Sequence, residues 1–398
     1  MNIPWDNWLP LFYFDAWEIT VLSVVFLSFC IQVFYYFKPY KRLYAFSKYN
    51  CHEYSNENPP AASVIIYTDN DSGGLEISLK SLLMQDYPNF EIIIVCETYD
   101  ENAHLLSQYK EKYPNVYCTY IPEDSKSLSR KKLALTVAIK ASKNDILLFI
   151  EPGCKLTSKD WMRKMIRNYI PGIDIVLGYS RIAGKHYFLN HLMAYDNLFS
   201  AIQYLGKATS GEPFKGLGRN LSYRKQLFYS SKGFSKYLFL QYGDDDLFIN
   251  QNATRNNTRV EISPDSIADY AMPPKDWEKS KMRYSLTSKY YSGKTRFFFE
   301  IETFSRYLFY ICALGILALS FFDFFKWTLA ASTGLLFFIR FGIQCFVINK
   351  TASVLKERKY RFSLIWFDIV LPFVNMYYAV YRKFGGKKDF TYNFNTKS

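Results

Sequence analysis

The 398 residues suffice for one large domain with additional elements, or for two domains. A net charge of +13 fits nucleic acid or an anionic membrane surface equally well, but hydrophobic segments and an aromatic excess (34 Tyr, 35 Phe) decide for the membrane and against nucleic acid. The seven cysteines show no C-x-x-C spacing, and the four in the soluble region read as reduced thiols facing the cytosol; four histidines without ligand spacing argue against a zinc site.

Residues 19–37 form an apolar run long enough to cross a hydrocarbon core of about 30 Å. Before the run stand Asp6, Asp15 and Glu18 with no Lys or Arg; after it come Lys38, Lys41, Arg42 and Lys48. The positive-inside bias therefore predicts that the short N-terminus, residues 1–18, is extracytoplasmic and that the chain enters the cytosol. A cleavable signal peptide fits poorly, because the basic leader region is missing.

From about residue 59 to 270, short apolar runs alternate with helical patterns. Strands are predicted at 63–67, 92–96, 116–121, 146–150 and 175–179, with helices at 75–85, 102–113, 129–142 and 158–169. This alternation predicts an α/β domain: a mostly parallel, Rossmann-like sheet with helices on both faces. Ligands bind such sheets beyond the carboxyl ends of the strands, which singles out Asn70, Asp71, Glu97, the 122–132 segment and Glu151. No G-x-G-x-x-G or Walker-type loop follows the first strand, so dehydrogenase and ATPase readings lose their support.

"DILLFIEPGC" (145–154) ends an apolar strand at one acid, Glu151, which is either a solvated residue after a strand or a functional group. "GEPFKGLGRNLSYRKQLF" (211–228) reads as a Gly-rich, basic loop leading into a helix or strand. Asp244, Asp245 and Asp246 follow. They suit a helix N-terminus, or a general base whose acidic neighbours tune its pKa.

Residues 271–303 are basic, aromatic and amphipathic, and predict a segment on the inner leaflet. Two further apolar runs within 307–348, joined by a tight link holding Asp323, predict a transmembrane hairpin. Arg340 lies near the inner end of its second arm, placed to snorkel or, alternatively, to act inside the bundle. Residues 362–381 contain Asp368, Pro372 and Asn375 and precede a basic tail, 382–398. A crossing would put that tail outside, so a re-entrant or interfacial helix is favoured over a span.

Five blocks in order resemble a membrane-bound family 2 glycosyltransferase with a GT-A catalytic domain. They are "SVIIYTDND", "SLLMQDYPNFEIIIV", "RKKLALTVAIKAS", "GLGRNLSYRKQLF" and "GDDDLF", spanning about residues 60 to 290. The resemblance implies an inverting transfer of a single sugar from a nucleotide-sugar donor to a lipid-linked or membrane-associated hydroxyl, at the cytosolic face of a bacterial cell membrane. It implies Asp245 as base, with Asp244 in the alternative register. Asn70, Asp71, Glu97, Lys131, Lys132 and Glu151 fall on the donor side. Gly218, Arg219 and Asn220 fall on the acceptor side, and Trp277 and Arg283 could line the approach of a lipid-linked acceptor. A Mg²⁺ or Mn²⁺ ion would rest on Glu151 with help from the triplet through Asp246.

The chain departs from that pattern in three places. Glu97 replaces the usual Asp after the second strand. The metal-binding D-x-D is reduced to Glu151-Pro152-Gly153, which predicts a weakened metal site. The Q-x-x-R-W motif of processive members is missing after the triplet, which disfavours chain elongation. The departures also motivate an alternative, a catalytically weak relative that binds nucleotide, glycan or a partner.

Overall fold

The computed structural model describes residues 14–49, 59–68, 72–97, 102–121, 129–184, 187–322 and 327–384. Asn70, Asp71, the 122–128 segment, Asp323 and residues 385–398 lie outside the described residues.

The chain opens with helix α1 (Ala16–Tyr35), a π turn at Tyr36–Tyr40 and α2 (Lys41–Tyr49). Pro39 sits in that turn, where its missing N–H suits a widened helical turn. The α/β region then runs β1 (Ala62–Tyr67), α3 (Ser72–Leu83), β2 (Phe90–Glu97), α4 (Ala103–Lys112), β3 (Val116–Ile121), α5 (Arg130–Ala141) and β4 (Ile146–Phe149). It continues with β5 (Cys154–Leu156), α6 (Trp161–Ile166), β6 (Ile175–Leu177), β7 (Ser180–Ile182), α7 (Phe188–Thr209), β8 (Leu221–Arg224) and α8 (Lys225–Ser230). After these come α9 (Asp246–Asn252), β9 (Thr258–Val260), β10 (Ala268–Tyr270) and α10 (Pro274–Thr287). Three long helices close the chain: α11 (Gly293–Phe322), α12 (Trp327–Val354) and α13 (Ser363–Phe384).

The main sheet has seven strands in the order β3-β2-β1-β4-β8-β6-β9. β1 to β4 are mutually parallel, and β8 runs antiparallel to β4 and β6. A small sheet, β5-β10-β7, stands beside it. Alternate residues of the central strands enter different cores: Ile65, Ile93 and Leu147 pack on one face, Val64, Ile92 and Leu148 on the other. Burial on both faces is why these strands read as unbroken apolar runs.

The chain visits β1, β2 and β3 in one direction, then returns to place β4 on the other side of β1. The carboxyl ends of β1 and β4 therefore flank a topological switch point, where adjoining loops diverge and leave a crevice.

Among the described residues, four helices are long and apolar enough to cross a membrane: Ala16–Ser47, Gly293–Phe322, Trp327–Val354 and Ser363–Tyr381. α11 begins at Gly293, well before the predicted hairpin, because no Gly or Pro interrupts the pattern between that residue and Gly315. The basic segment at 271–303 is thus divided between α10 and the start of α11.

Arg340 does not snorkel. It is fully buried, 2.7 Å from Asp368 of α13, and hydrogen-bonds Tyr310 and Gln32 at 2.9 and 3.2 Å. Arg306 lies 3.3 Å from the same aspartate and pairs with Glu302. Low dielectric makes a lone charge there costly, so pairing within the bundle prevails over reaching for the surface. This network joins α1, α11, α12 and α13.

Candidate active site

A small cleft, open to solvent, lies at the β1–β4 switch point. Ile65 and Tyr67 of β1, Phe149 of β4, Leu135 of α5 and Tyr223 of β8 form much of its wall. Lys131, Glu151, Gly218, Asp244 and Asp245 supply its polar lining. Residues from the start of α5, after β4, before β8 and before α9 thus converge on one place.

Each polar group arrives for a local reason. β4 ends at Phe149, and the turn after it presents Glu151, with the Cys154 N–H donating to the Glu151 carbonyl at 3.1 Å. Gly153 follows with φ +89, and a Cβ there would meet the Tyr270 ring at 3.2 Å. Both the backbone and the space therefore oppose a second acid at position 153. Ser129 caps α5 by accepting from the Lys132 N–H, which sets Lys131 in the first turn facing the cleft. Gly243, with φ +102, turns the chain into Asp244 and Asp245 at the start of α9.

Lys131 Nζ is 2.9 Å from Glu151 Oε1 and 3.1 Å from Asp244 Oδ2, so one ammonium joins two carboxylates. Arg283 of α10 lies 3.8 Å from Glu151 and 3.6 Å from Asp245, and Arg219 lies 4.0 Å from Glu151. Burial works to raise the Glu151 carboxyl, but Lys131, Arg283 and Arg219 outweigh it and hold it down at about 2. Asp245 is likewise pushed up by burial and brought lower overall by Arg283 and Lys131. Its Oδ2 also accepts from the Gly218 N–H at 3.2 Å and the Tyr284 hydroxyl at 3.1 Å.

Several predicted site residues turn elsewhere. Lys132 is buried, and its Nζ donates to the Tyr237 and Leu240 carbonyls at 2.6 and 2.8 Å, clamping that segment to α5. Successive helical residues point about 100° apart, so Lys131 and Lys132 cannot share one direction. Asn220 spans Tyr179 and Ser266, donating to their carbonyls at 2.7 and 2.8 Å, and so holds the small sheet to the large one. Trp277 donates its indole N–H to Asp196 of α7 at 2.8 Å and anchors α10. The backbone of Glu97 ends β2 opposite Ile121.

Asp246 also faces away from the cleft, accepting from Thr287 and, at 2.7 Å, from Tyr291. Burial and the adjacent Asp245 push its carboxyl upward. With its oxygens committed to α9, to the end of α10 and to Tyr291 after it, Asp246 does not join Glu151. The carboxylate that shares Lys131 with Glu151 is Asp244, whose Oδ1 is buried with no hydrogen-bond partner among the described residues. Among the described residues no three Asp, Glu, His or Cys side chains gather as a ready metal site. Glu151 and Asp244 nonetheless suit an ion that takes its remaining ligands from diphosphate oxygens and water, as Mg²⁺ commonly does.

Tyr284, Lys215 and Asn197 are site residues that the sequence reading missed. Lys215 Nζ lies 3.6 Å above the Tyr284 ring, and Asn197 accepts from Arg219 at 3.2 Å. A signal for Tyr284 was present. Arg283-Tyr284 is an Arg-aromatic step like the end of Q-x-x-R-W, with Ser280 where Gln would stand, and 39 residues separate Asp245 from Tyr284.

A mostly parallel sheet with an acidic and basic cleft at its switch point, carried by long apolar helices, defines a membrane-associated GT-A-type glycosyltransferase. The chain belongs to glycosyl transferase family 21, a family of that type, whose profile matches residues 43–377. Among solved structures, it is similar to the mannosyltransferase PcManGT from Pyrobaculum calidifontis, determined in complex with GDP-Man and Mn²⁺. The TM-score is 0.61 at 14% identity, covering 93% of this chain and 99% of the other, a likeness of fold. S. aureus TarS, residues 1–349, is more distant, with a TM-score of 0.40 at 16% identity, covering 85% of this chain and 98% of the other. No curated protein sequence matches the chain.

Proposed function

We propose that this glycosyltransferase moves a single sugar, with inversion, from a nucleotide-sugar donor to a hydroxyl of a lipid-linked or membrane-associated acceptor at the cytosolic face. The observation that carries this reading is the position of Asp245. Its carboxylate lines the cleft beside Gly218, close to the Glu151–Lys131 pair. The charge distribution of the flanking loops supports the cytosolic assignment, with Lys38, Lys41 and Arg42 after α1 and Lys350, Lys356 and Arg358 around the end of α12.

In this mechanism Asp245 Oδ2 takes the proton of the acceptor hydroxyl as the new glycosidic bond forms, a contribution of roughly 10²–10⁴-fold. Lys131, Arg219 and Arg283 stabilise the charge that develops on the departing diphosphate. As the diphosphate draws these cations, Asp245 is released from their hold and becomes a stronger base. Glu151 and Asp244 are the carboxylates that would hold a divalent cation, which when bound neutralises part of the diphosphate charge. Trp277 and Lys281 anchor α10 on Asp196, and thereby position Arg283. We read α13 as lying at the membrane interface, since Lys281 of α10 reaches Asn375 at 2.8 Å while Trp366, Phe373 and Tyr377 remain exposed.

The test is release of nucleoside diphosphate from a panel of sugar donors by full-length protein in nanodiscs, supplied with lipid acceptors and with Mg²⁺, Mn²⁺ or chelator. Release above background that is lost in Asp245→Asn supports the reading. Background release throughout, from folded protein that still binds nucleotide, would favour the catalytically weak alternative. Product length on the acceptor decides between single transfer and elongation.

A further inference from the structure

We infer that Lys131 is a resident counter-cation at the divalent-metal position: it holds Glu151 and Asp244 together in the donor-free protein, and yields to a metal ion only when nucleoside diphosphate arrives. This rests on the reading of the cleft as a nucleotide-sugar site and adds an order of binding to it.

The geometry supplies the argument. One ammonium sits 2.9 Å from a Glu151 oxygen and 3.1 Å from an Asp244 oxygen, so it contacts both candidate metal ligands. A bare Mg²⁺ or Mn²⁺ placed on those carboxylates would face that ammonium at close range. It would also meet the Arg283 and Arg219 guanidiniums, 3.8 and 4.0 Å from Glu151. Glu151, Asp244 and Asp245 are already balanced by Lys131, Arg219 and Arg283. Metal alone would leave the cleft with excess positive charge, and a diphosphate alone with excess negative charge. Arriving together, they largely cancel.

Lys131 has somewhere to go. It stands in the first turn of α5, where the helix dipole favours an anion. A diphosphate near that helix end would accept the displaced ammonium, and a lysine stem is flexible enough for such a swing. Asp244 Oδ1 is buried with no hydrogen-bond partner among the described residues, so the carboxylate keeps ligating capacity for a metal ion. Lys131 thus acts on metal binding first and on the diphosphate second.

The experiment titrates Mn²⁺ into full-length detergent-solubilised protein and reads bound metal by electron paramagnetic resonance, without nucleotide and with GDP or UDP. Protein-free nucleotide serves as the blank. Wild type should bind Mn²⁺ weakly alone and at least about tenfold more tightly with a nucleoside diphosphate, since each unit charge removed at this range is worth that much or more. Lys131→Met should bind Mn²⁺ without nucleotide at least about tenfold more tightly than wild type. Equal Mn²⁺ affinity of wild type with and without nucleotide overturns the inference, even if the variant fails to fold. So does a folded Lys131→Met that gains no affinity. Failure of wild type to bind either nucleotide, with or without Mn²⁺, overturns the underlying reading of the cleft instead.

Discussion

Replacing Asp245 by Asn tests the base assignment with little change of shape. The Asn carbonyl can keep the Asp246 N–H that Asp245 Oδ1 accepts at 2.8 Å, so the start of α9 survives, and Asn is as good a cap as Asp. What changes is the Oδ2 side, where an amide N–H₂ would oppose the Gly218 N–H now 3.2 Å away. One unsatisfied donor costs about 1–3 kcal/mol of stability. Arg283 retains Glu151 at 3.8 Å, so it is not left alone. The chemical effect should be larger. Losing the proton acceptor lowers kcat by roughly 10²–10⁴-fold, about 3–5 kcal/mol of barrier at 1.36 kcal/mol per decade. Nucleotide affinity should hold or improve, because a negative charge leaves the diphosphate's surroundings. The assay measures kcat and KM for nucleoside diphosphate release, nucleotide affinity by calorimetry, and the melting temperature. A folded Asp245→Asn that keeps kcat within a few-fold of wild type refutes the assignment. If Asp244→Asn instead abolishes kcat at saturating metal, the base belongs to the neighbouring register.

Other consequences can be checked separately. Gly153→Asp should lower the melting temperature without restoring a second metal ligand, since the residue needs φ +89 and its Cβ would press on Tyr270 at 3.2 Å; a left-handed non-glycine residue alone costs about 1–2 kcal/mol. Arg340→Leu should destabilise the helix bundle towards the lower end of the roughly 3–5 kcal/mol typical for breaking a buried pair, because Arg306 still reaches Asp368 at 3.3 Å. The double variant with Asp368→Asn should recover part of that loss in melting experiments. Burial, opposed by Tyr179 and Arg181, raises the Glu357 carboxyl to about 7. Its unfolded value is about 4.3, so its stabilising contribution is full below that value and is lost as pH rises through about 7. Glu357→Gln should therefore flatten the melting temperature between about pH 4 and 7.

The parts of the fold that announced themselves share a physical cause. β1, β2 and β4 are buried on both faces, so their residues form uninterrupted apolar runs. β5, β7 and β10 were illegible because each is three residues long and not buried throughout. The run at 175–179 ends as strand at Leu177 because Asn220 binds the Tyr179 carbonyl and the chain departs to the small sheet. α7 was missed: its apolar residues are interrupted by Asn190, His191, Asp196 and Asn197, of which Asp196 and Asn197 serve α10 and Arg219. In the cleft, Glu151, Lys131 and the triplet were legible because strand ends and helix starts must meet at a switch point. Which side chain of Lys131-Lys132, or of Asp244-Asp245-Asp246, enters it depends on rotation at the element's first turn. Sequence spacing does not encode that rotation, and so Asp246 was chosen where Asp244 is the neighbour of Glu151.

The Glu-Pro-Gly turn has a different meaning once its surroundings are known. A second acid two residues after Glu151 would need a backbone that Gly153 alone adopts easily and a space that the Tyr270 ring fills. The small sheet enforces both conditions, because Tyr270 pairs with Cys154 directly after the turn. The carboxylate beside Glu151 therefore comes from another element, through Gly243 and the start of α9. That element is itself held by the Thr287 and Tyr291 hydroxyls on Asp246. Two ligands on one turn keep a fixed spacing, whereas Glu151 and Asp244 keep theirs only while α9 stays clamped to the end of α10 and the residues after it. The same α10 carries Arg283 and is anchored by Trp277 and Lys281 on Asp196. The lone acid at the end of β4 is thus half of an acid pair whose spacing depends on the helix that joins the cleft to the apolar helices.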